Sequence, residues 1–335
     1  MAEKFNPENF GVDFHVGGFI AMKIRDYYNF NNPPYNTEFA KTAGLWRGKR
    51  YGVQNAAGPR SCTFYNLDIF TREGFTDLHV FYSNKTWTWD VLLDYAVKST
   101  KDLNGDGIMD QWGINLFFVP WAGEAFLYSN GANYIKEVDG RIQFALGDQV
   151  AVNAIQFLSD LCNVYKVVIR GQGWVPFTSG KAAMCLGTEA WQGLSGLKNA
   201  GMTNYGFVPL PKGPDISDYS NANSNSTINA IPITQKQVKE TVQVIKYTDE
   251  AEYFSAEEII GIFAETYMVR QSDIDLFIAL SADQKYTYNR GFVDLNTLVN
   301  QQIFNRVVTA TITTISAIEA ISGQAQRAID SLIGQ

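Results

Sequence analysis

Residues 86–134, TWTWDVLLDYAVKSTKDLNGDGIMDQWGINLFFVPWAGEAFLYSNGANY, carry the clearest secondary-structure pattern in the chain. Thr88 is a residue type that accepts a backbone N–H at a helix start. Apolar residues then recur at i, i+3, i+4 and i+7, which are Trp89, Leu92, Leu93 and Ala96. The pattern predicts a helix with one apolar face that ends near Lys101. A tight acidic loop, a strand and an aromatic-rich segment that lines a cleft are expected to follow.

The acidic loop carries oxygen-bearing side chains at alternate positions. Its spacing is D-x-N-x-D-G-x-x-D, with a glycine where a loop that wraps a cation needs a sharp turn. A calcium loop of this kind uses side chains at positions 1, 3, 5 and 9 and the carbonyl at position 7, here Asp102, Asn104, Asp106, Asp110 and Ile108. Position twelve is Gly113 instead of a bidentate Glu. We predict a structural calcium ion of modest affinity, and the alternative is a metal-free turn closed by Asx hydrogen bonds.

Composition and charge exclude several classes of partner and site. The 335 residues, 46% of them hydrophobic, suffice for one large or two moderate domains with a sizeable core. A net charge of -7 argues against nucleic acid or an anionic membrane surface as partner. The three cysteines, Cys62, Cys162 and Cys185, are too widely spaced for a zinc motif and odd in number, so buried free thiols are expected. There is no apolar run of about 18 residues, and residues 1–10 lack the apolar core of a signal peptide.

The motifs of common enzymes are missing. The two histidines, His15 and His79, match no catalytic pattern, and no GxSxG, Walker or GxGxxG motif stands in a strand–turn–helix context. Aromatic residues instead make up 14% of the chain. Flat apolar rings suit the C–H faces of sugars, while amides and carboxylates bind sugar hydroxyls. These residues favour binding over catalysis.

The run TWDVLLDYAVKSTKDLNGDGIMDQWG, followed by FLYSNGANYI, resembles the extracellular solute-binding proteins of ABC importers, the family that includes maltose-binding protein. Five further segments are similar and stand in the expected order: LWRGKRYGV (45–53), TFYNLDIFTREGF (63–75), AVNAIQFLSDL (151–161), GKAAMCLGTEAW (180–191) and YGFVPLPKGP (205–214). The resemblance implies an α/β fold of the two-lobed, type II periplasmic-binding-protein kind. It further implies a non-catalytic protein that binds an oligosaccharide or another small polar solute, an ABC transporter permease as partner, and a periplasmic or lipoprotein location outside the cytoplasm.

Composition shifts and the resemblance together divide the chain into two lobes. We assign residues 1–54 and 230–290 to the first lobe and residues 55–229 and 291–335 to the second. Crossings are expected near 55–59, 215–229 and 290, because the first two are rich in small residues, Pro or Asn. Strands that alternate with helices predict a second lobe with helices on both faces of a sheet.

The first lobe lacks the strand–helix–strand unit with which family members normally open. A sheet without these strands exposes an edge and an apolar face, which proteins normally pair or cover. Either the native start lies upstream, or the gap is filled by a partner or by self-assembly. We therefore predict that the chain as written is not a stable, sugar-binding monomer.

The resemblance also implies a set of ligand contacts: Trp121, Glu124, Glu189, Trp191, Asn55 and Asn223. Trp121 falls where the family places an aromatic that stacks on the ligand, and Glu124 lies one helical turn further on. Glu189 and Trp191 occupy a loop that points into the cleft, whereas the two asparagines, like Arg60, are placed by their nearness to a crossing.

Each contact has a plainer alternative. A tryptophan in an α/β lobe is often a core residue, a glutamate is often a solvated surface carboxylate, and an Asn-rich segment is often only a loop. Two glutamates beside a sugar cleft also describe a glycoside hydrolase. Three hypotheses follow: an importer's carbohydrate-binding protein, a structural or assembly protein that reuses the fold without transport, and a hydrolase.

Overall fold

The computed structural model describes residues 15–16, 19–20, 27–32, 35–46, 48–54, 58–60, 62–169, 173–187, 189–220, 222–223, 228–251 and 256–333. The strands are β1 (His15–Val16), β2 (Phe19–Ile20), β3 (Leu45–Trp46), β4 (Lys49–Arg50), β5 (Gly52–Val53), β6 (Cys62–Asn66), β7 (Trp112–Leu116), β8 (Ile135–Val138), β9 (Arg141–Phe144), β10 (Val168–Ile169), β11 (Ala182–Leu186), β12 (Tyr205–Pro209), β13 (Ala222–Asn223), β14 (Asn229–Ala230) and β15 (Lys285–Tyr286). The helices are α1 (Glu38–Thr42), α2 (Leu67–Glu73), α3 (Leu78–Ser83), α4 (Trp89–Ser99), α5 (Val119–Ser129), α6 (Gln149–Asn163), α7 (Val175–Thr178), α8 (Ala190–Asn199), α9 (Val238–Ala251), α10 (Ala256–Tyr267), α11 (Gln271–Ala282), α12 (Val293–Leu298), α13 (Asn305–Val307) and α14 (Thr314–Ile333). A π-helical stretch, Val299–Phe304, joins α12 to α13.

A five-stranded sheet in the order β10–β7–β11–β6–β12 organises most of the described chain. Strands β10, β7 and β11 run parallel, and β6 is antiparallel to both of its neighbours, β11 and β12. Every residue of β6, β11 and β12 is buried. Continuous apolar strands such as AAMCL are typical of a sheet with both faces covered, so the predicted α/β class is confirmed.

Helix α4 forms where the apolar spacing predicts it. It begins at Trp89 and ends at Ser99, with Thr88 as an N-cap whose side chain makes no capping hydrogen bond. Trp89, Leu92 and Ala96 are buried against the sheet, whose strand β7 comes very close to the helix. A Cβ on Gly113 of β7 would lie only 2.3 Å from the carbonyl oxygen of Ala96, so only glycine allows this approach.

The remaining described strands pair only two at a time, and each strand of the pairs β5–β14, β13–β15 and β3–β4 has two residues. Near them lies a small core that we call the aromatic cluster: Tyr28, Tyr35, Ala40, Val53, Ile231 and Val242. Strands β5 and β14 run antiparallel with Val53 opposite Asn229. The pair thus stands where the chain enters the first predicted crossing and leaves the second.

Helix α11 packs on the large sheet, although residues 230–290 are predicted in the first lobe. The ring centroid of Phe277 lies 5.8 Å from that of Phe207 in β12. The buried Asp273 carboxylate accepts a hydrogen bond from the Phe207 N–H at 3.1 Å. The helix therefore covers the edge strand β12, a long-range packing that the resemblance does not anticipate. The lobe boundaries themselves stay a prediction.

The C-terminal helices also pack beside the large sheet. Gln326 of α14 accepts from the Phe144 N–H at 2.9 Å and donates to the Ile142 carbonyl at 3.0 Å, so it joins α14 to strand β9. Asn163 of α6 donates to the Val307 carbonyl at 2.7 Å. None of the helices in the described part of the chain is long and apolar enough to span a membrane.

Candidate ligand site at the carboxyl edge of the sheet

The strand directions bring several distant segments to one edge of the sheet. Strands β7, β10 and β11 are parallel, so their carboxyl ends meet there, and the antiparallel strand β6 begins at the same edge. Ligands of open α/β sheets bind outside the carboxyl ends of the strands. The aromatic and charged residues at this edge form what we call the carboxyl-edge cluster: Arg60, Phe117, Phe118, Trp121, Trp174 and Glu189.

Aromatic neighbours hold the half-buried Trp121 ring in place. Its centroid lies 6.0 Å from Phe117 at an interplanar angle of 26° and 5.4 Å from Phe118 at 82°. Phe117 in turn lies 4.9 Å from Trp174. These offset and edge-to-face arrangements are the favourable ones for aromatic pairs. The cluster therefore presents a fixed, partly exposed indole.

A largely buried ion pair lies against this ring. The Arg60 Nη1 donates a hydrogen bond to the Glu189 Oε1, and their side chains are 7% and 16% exposed. The Arg60 guanidinium also stands over the Trp121 ring, 5.1 Å from its centroid. A planar guanidinium suits both contacts, the carboxylate fork and the aromatic face. The alternative that Glu189 is a solvated surface carboxylate is therefore wrong.

Close backbone approaches bring these loops together. Gly187, which follows β11, has φ +77°, and a Cβ there would lie 2.8 Å from the Ala122 Cβ of α5. A Cβ on Gly196 of α8 would lie 2.6 Å from the Trp174 Nε1. The Ala190 N–H donates to the Pro59 carbonyl at 3.0 Å, so the start of α8 is joined to the predicted first crossing. Glycine at these points lets α5, α8 and Trp174 share one edge.

The thiols of Cys62 and Cys185 are unreactive because both are buried. Burial raises the pKa of Cys62 well above its ordinary value, although the nearby Arg60 acts in the opposite direction. Burial likewise raises the pKa of Cys185. Both thiols are therefore protonated at neutral pH and are poor nucleophiles. The prediction of free thiols is confirmed for all three cysteines, of which Cys162 is only half-buried.

Glu124 is buried, not solvated, and serves a hydrogen-bond network. It is 4% exposed, and its Oε1 accepts from the Tyr128 hydroxyl at 2.9 Å. That hydroxyl lies 2.8 Å from the Thr287 Oγ1 and accepts from the Asn289 Nδ2 at 2.8 Å. Helix α5, which carries Trp121, is therefore joined through Tyr128 to the predicted third crossing.

That crossing alternates its side chains between two neighbours, and we call residues 285–289 the strap. Thr287 and Asn289 contact Tyr128, whereas Tyr286 and Tyr288 face the other way. The Tyr286 ring lies 5.9 Å from the Phe39 ring, and the Tyr288 ring lies 5.2 Å from the Trp46 ring. The Tyr286 N–H also donates to the Thr42 Oγ1 at 3.0 Å. Burial raises the pKa of Tyr288, so its hydroxyl stays a donor, and it donates to the Leu45 carbonyl.

Comparison of the sequence with known protein families gives a result that agrees with this fold. The sequence profile of the family described as bacterial extracellular solute-binding protein matches residues 19–251, more than half of the chain. The chain belongs to this family. A comparison with curated protein sequences finds no match.

Solved structures of solute-binding proteins share the architecture. UspC of M. tuberculosis is 19% identical with a TM-score of 0.67, over 92% of this chain and 81% of that chain. MalE from Bdellovibrio bacteriovorus, bound to maltotriose, is 17% identical with a TM-score of 0.62, over 98% and 82%. Lmo0181 from Listeria monocytogenes, in complex with cycloalternan, is 17% identical with a TM-score of 0.63, over 94% and 80%. At these identities the likeness establishes the fold, a two-lobed periplasmic-binding-protein-like α/β architecture.

The other predicted contacts of this solute-binding protein are placed only in part. Trp191 lies on α8 and Asn223 in β13, but their side chains are outside the described residues, as is the whole of Asn55. The ligand contacts therefore stay predictions. The structure also places Phe117, Phe118 and Trp174 at this edge, which the sequence analysis does not single out. An aromatic pair directly after a strand, as in NLFF, is a local signal for the first two.

The acidic loop of this solute-binding protein closes with its own backbone amides. Asp102 accepts from the N–H groups of Gly105 and Gly107, each at 2.7 Å, and Asp106 accepts from that of Ile108 at 2.8 Å. The bond from Gly107 is the main reason why the pKa of Asp102 lies below its usual range. In the described part of the chain, no three His, Cys, Asp or Glu side chains gather as a metal site would require. Calcium binding stays a prediction.

Proposed function

We propose that this solute-binding protein binds an oligosaccharide, without converting it, at the carboxyl-edge cluster. The observation that carries the proposal is the half-exposed Trp121 ring, held by Phe117 and Phe118, with a carboxylate and a guanidinium beside it. Two solved structures of the same fold hold maltotriose and cycloalternan. Their ligands support saccharide as the class.

The chemistry of the cluster suits a polyhydroxylated ring. The indole face can cover the C–H face of a pyranose, and stacking of this kind is favoured because the ring is already fixed. A carboxylate such as that of Glu189 is an acceptor for sugar hydroxyls, and a guanidinium such as that of Arg60 is a donor to them.

Titration calorimetry against a panel of glucans, mannans and their cyclic forms tests the proposal. Trp121→Ala should weaken the best ligand by roughly 1.5–3 kcal/mol, about the value of one buried apolar side chain. Trp112→Ala is the matched control, since Trp112 begins the same strand, β7, at the opposite edge. The site assignment is wrong if a ligand that the parent binds is bound equally well by Trp121→Ala and by Glu189→Gln.

The transport role extends the same proposal. We propose that the loaded protein delivers its ligand to an ABC transporter permease outside the cytoplasm, as a periplasmic protein or lipoprotein. Family membership supports this placement. The test measures uptake of a labelled glycan by cells that lack the gene, with and without complementation by Trp121→Ala. Unchanged uptake in the deletion strain would contradict the transport role.

The two alternatives give different results in the same assays. A hydrolase would release reducing ends from the panel, whereas here Glu189 is paired with Arg60 and Glu124 accepts from Tyr128. An assembly protein would form larger species in light scattering and bind no glycan.

A further inference from the structure

A cavity opens on the large-sheet side of the molecule, beside helices α4 and α6. Its volume is about 380 Å³, and it lies between the start of α4, the middle of α6 and residues 212–214. None of its lining residues belongs to the carboxyl-edge cluster. Small-ligand sites typically enclose about 300–1,000 Å³, so the space suits one or two sugar rings.

One wall of this cavity is a rigid aromatic pair. The rings of Trp89 and Phe157 stack at 4.5 Å with an interplanar angle of 2°. Phe126 braces both from behind, edge-on, at 5.9 Å and 5.6 Å. The Trp89 Nε1 donates to the Ser129 hydroxyl at 3.1 Å, which fixes the indole further. Trp89 is buried and Phe157 is half-exposed, so the wall presents a phenyl ring that ligand binding need not order.

Hydrogen-bond donors and acceptors line the cavity together with the Phe157 ring. Asp160 accepts from the Gln156 Nε2 at 2.7 Å through one oxygen, and its carboxylate can accept further bonds. Lys212 donates to the Ser217 carbonyl at 3.0 Å and retains other donors. Asp90 lines the cavity from α4 and is exposed. Two carboxylates and one ammonium leave little net charge, which favours neutral hydroxyls over a strongly charged ligand.

We propose that the cavity between α4 and α6 is a second saccharide site, with Phe157 as the stacking ring and Asp160, Gln156 and Asp90 as partners for hydroxyl groups. It is separate in sequence and position from the site proposed above. Because it is open and stacks on a smaller ring, it binds saccharides more weakly than the carboxyl-edge cluster does. The chain thus holds one glycan at the edge and contacts a second glycan, or a further part of a long one, here.

The experiment maps both sites at once in the full chain. Backbone amide chemical shifts are followed while maltotriose and mannobiose are titrated into the parent and into five variants: Trp121→Ala, Phe157→Ala, Gln156→Ala, Asp90→Ala and Asp94→Ala. Asp94→Ala serves as the matched control for Asp90→Ala, since Asp94 lies on the same helix, is exposed and does not line the cavity. Dispersion of the remaining shifts reports that each variant is folded.

We expect saturable shifts at residues 88–90 and 153–160 that persist in Trp121→Ala. Phe157→Ala should raise the Kd of these shifts about tenfold or more, Gln156→Ala and Asp90→Ala less, and Asp94→Ala not at all. Because Gln156 and Asp90 are exposed, their variants test the site even if Phe157→Ala does not fold. The inference is overturned if neither sugar shifts residues 153–160, or if the cavity variants leave those shifts unchanged. Shifts in the cavity without shifts at residues 117–121 would instead contradict the saccharide site at the carboxyl-edge cluster.

Discussion

The large sheet and the aromatic cluster are held together in different ways. Strands β6, β11 and β12 have five residues each, all buried, and they join through continuous backbone ladders. Around the aromatic cluster the strands have two residues each, too few for stability from pairing alone. There a single buried arginine compensates: Arg50 donates to the carbonyls of Ala40, Lys41 and Ala43 and stands 3.9 Å from the Phe30 ring centroid.

This difference shows that apolar side chains can be buried without a long ladder of backbone hydrogen bonds between strands. In the large sheet, apolar runs specify both the strands and the core. Around the aromatic cluster, side chain-to-backbone bonds and the strap replace the missing ladder. We therefore expect the two regions to respond differently to loss of apolar volume.

Matched core truncations test this contrast most directly. Leu158 on α6 and Ile231 after β14 are both fully buried, one in the large core and one in the aromatic cluster. Leu158→Ala should lower the free energy of unfolding by about 4–5 kcal/mol and Ile231→Ala by about 2 kcal/mol, because a small cluster relaxes more easily around a cavity. Urea unfolding followed by circular dichroism measures both. Equal costs would contradict the contrast.

Removal of the Asp77 charge tests whether the packing of α11 on the large sheet contributes to the free energy of unfolding. Asp77, the N-cap of α3, accepts from the Tyr65 hydroxyl and from Arg270, each at 2.6 Å. Burial alone would raise the pKa of Asp77, but these bonds and that of the His79 N–H hold it below its ordinary value. The stability it contributes is therefore present above its unfolded-state pKa and is lost as the pH falls through the folded-state value.

Asp77→Asn keeps the capping side chain but removes the charge, so it should cost about 1.5–3 kcal/mol at pH 6. The variant should also lose less stability than the parent between pH 5 and pH 2. Asp94→Asn, an exposed carboxylate on α4, is the control and should change neither quantity. Parallel pH profiles of the parent and Asp77→Asn would show that this network does not dock α11.

Loss of one hydroxyl tests the connection between the two regions. Tyr128→Phe leaves Glu124 and Asn289 without this buried partner, which should cost about 1–3 kcal/mol and weaken glycan binding at Trp121 on the same helix. Hydrogen exchange should rise in both α5 and the strap. Tyr165→Phe removes an exposed hydroxyl and should have no effect. Faster exchange in only one of the two segments would mean that Tyr128 does not couple them.

The smallest expected effect is that of calcium on the acidic loop. We propose that the loop binds calcium with a Kd of about 10⁻⁴ to 10⁻³ M, since it lacks a position-twelve Glu. At about 1 mM calcium this would stabilise the fold by about 0.4–1.4 kcal/mol. The Tm of the parent should therefore rise between EDTA and calcium, and that of Asp106→Ala should not. Equal melting in all four samples would leave the loop as a turn closed by its own amides.

Local patterns in the sequence determined the features that depend on nearby residues. The apolar spacing predicted α4 to within its last turn, because a helix face is set by residues three and four apart. Segment similarity predicted the family and the α/β fold, and cysteine spacing predicted the free thiols. Continuous apolar strands such as β11 are recognisable because both faces of this sheet are covered.

Tertiary structure alone decided which polar residues are buried and with what partners. Arg60 and Glu189 are 129 residues apart, and His79 and Asp273 are 194 apart. No local pattern reports such pairs, since periodicity describes a residue's face and not what that face meets. For the same reason the sequence could not distinguish Glu124, buried against Tyr128, from a surface carboxylate. Strand direction brought Trp174, Trp121 and Arg60 to one edge, and direction is a property of the whole sheet.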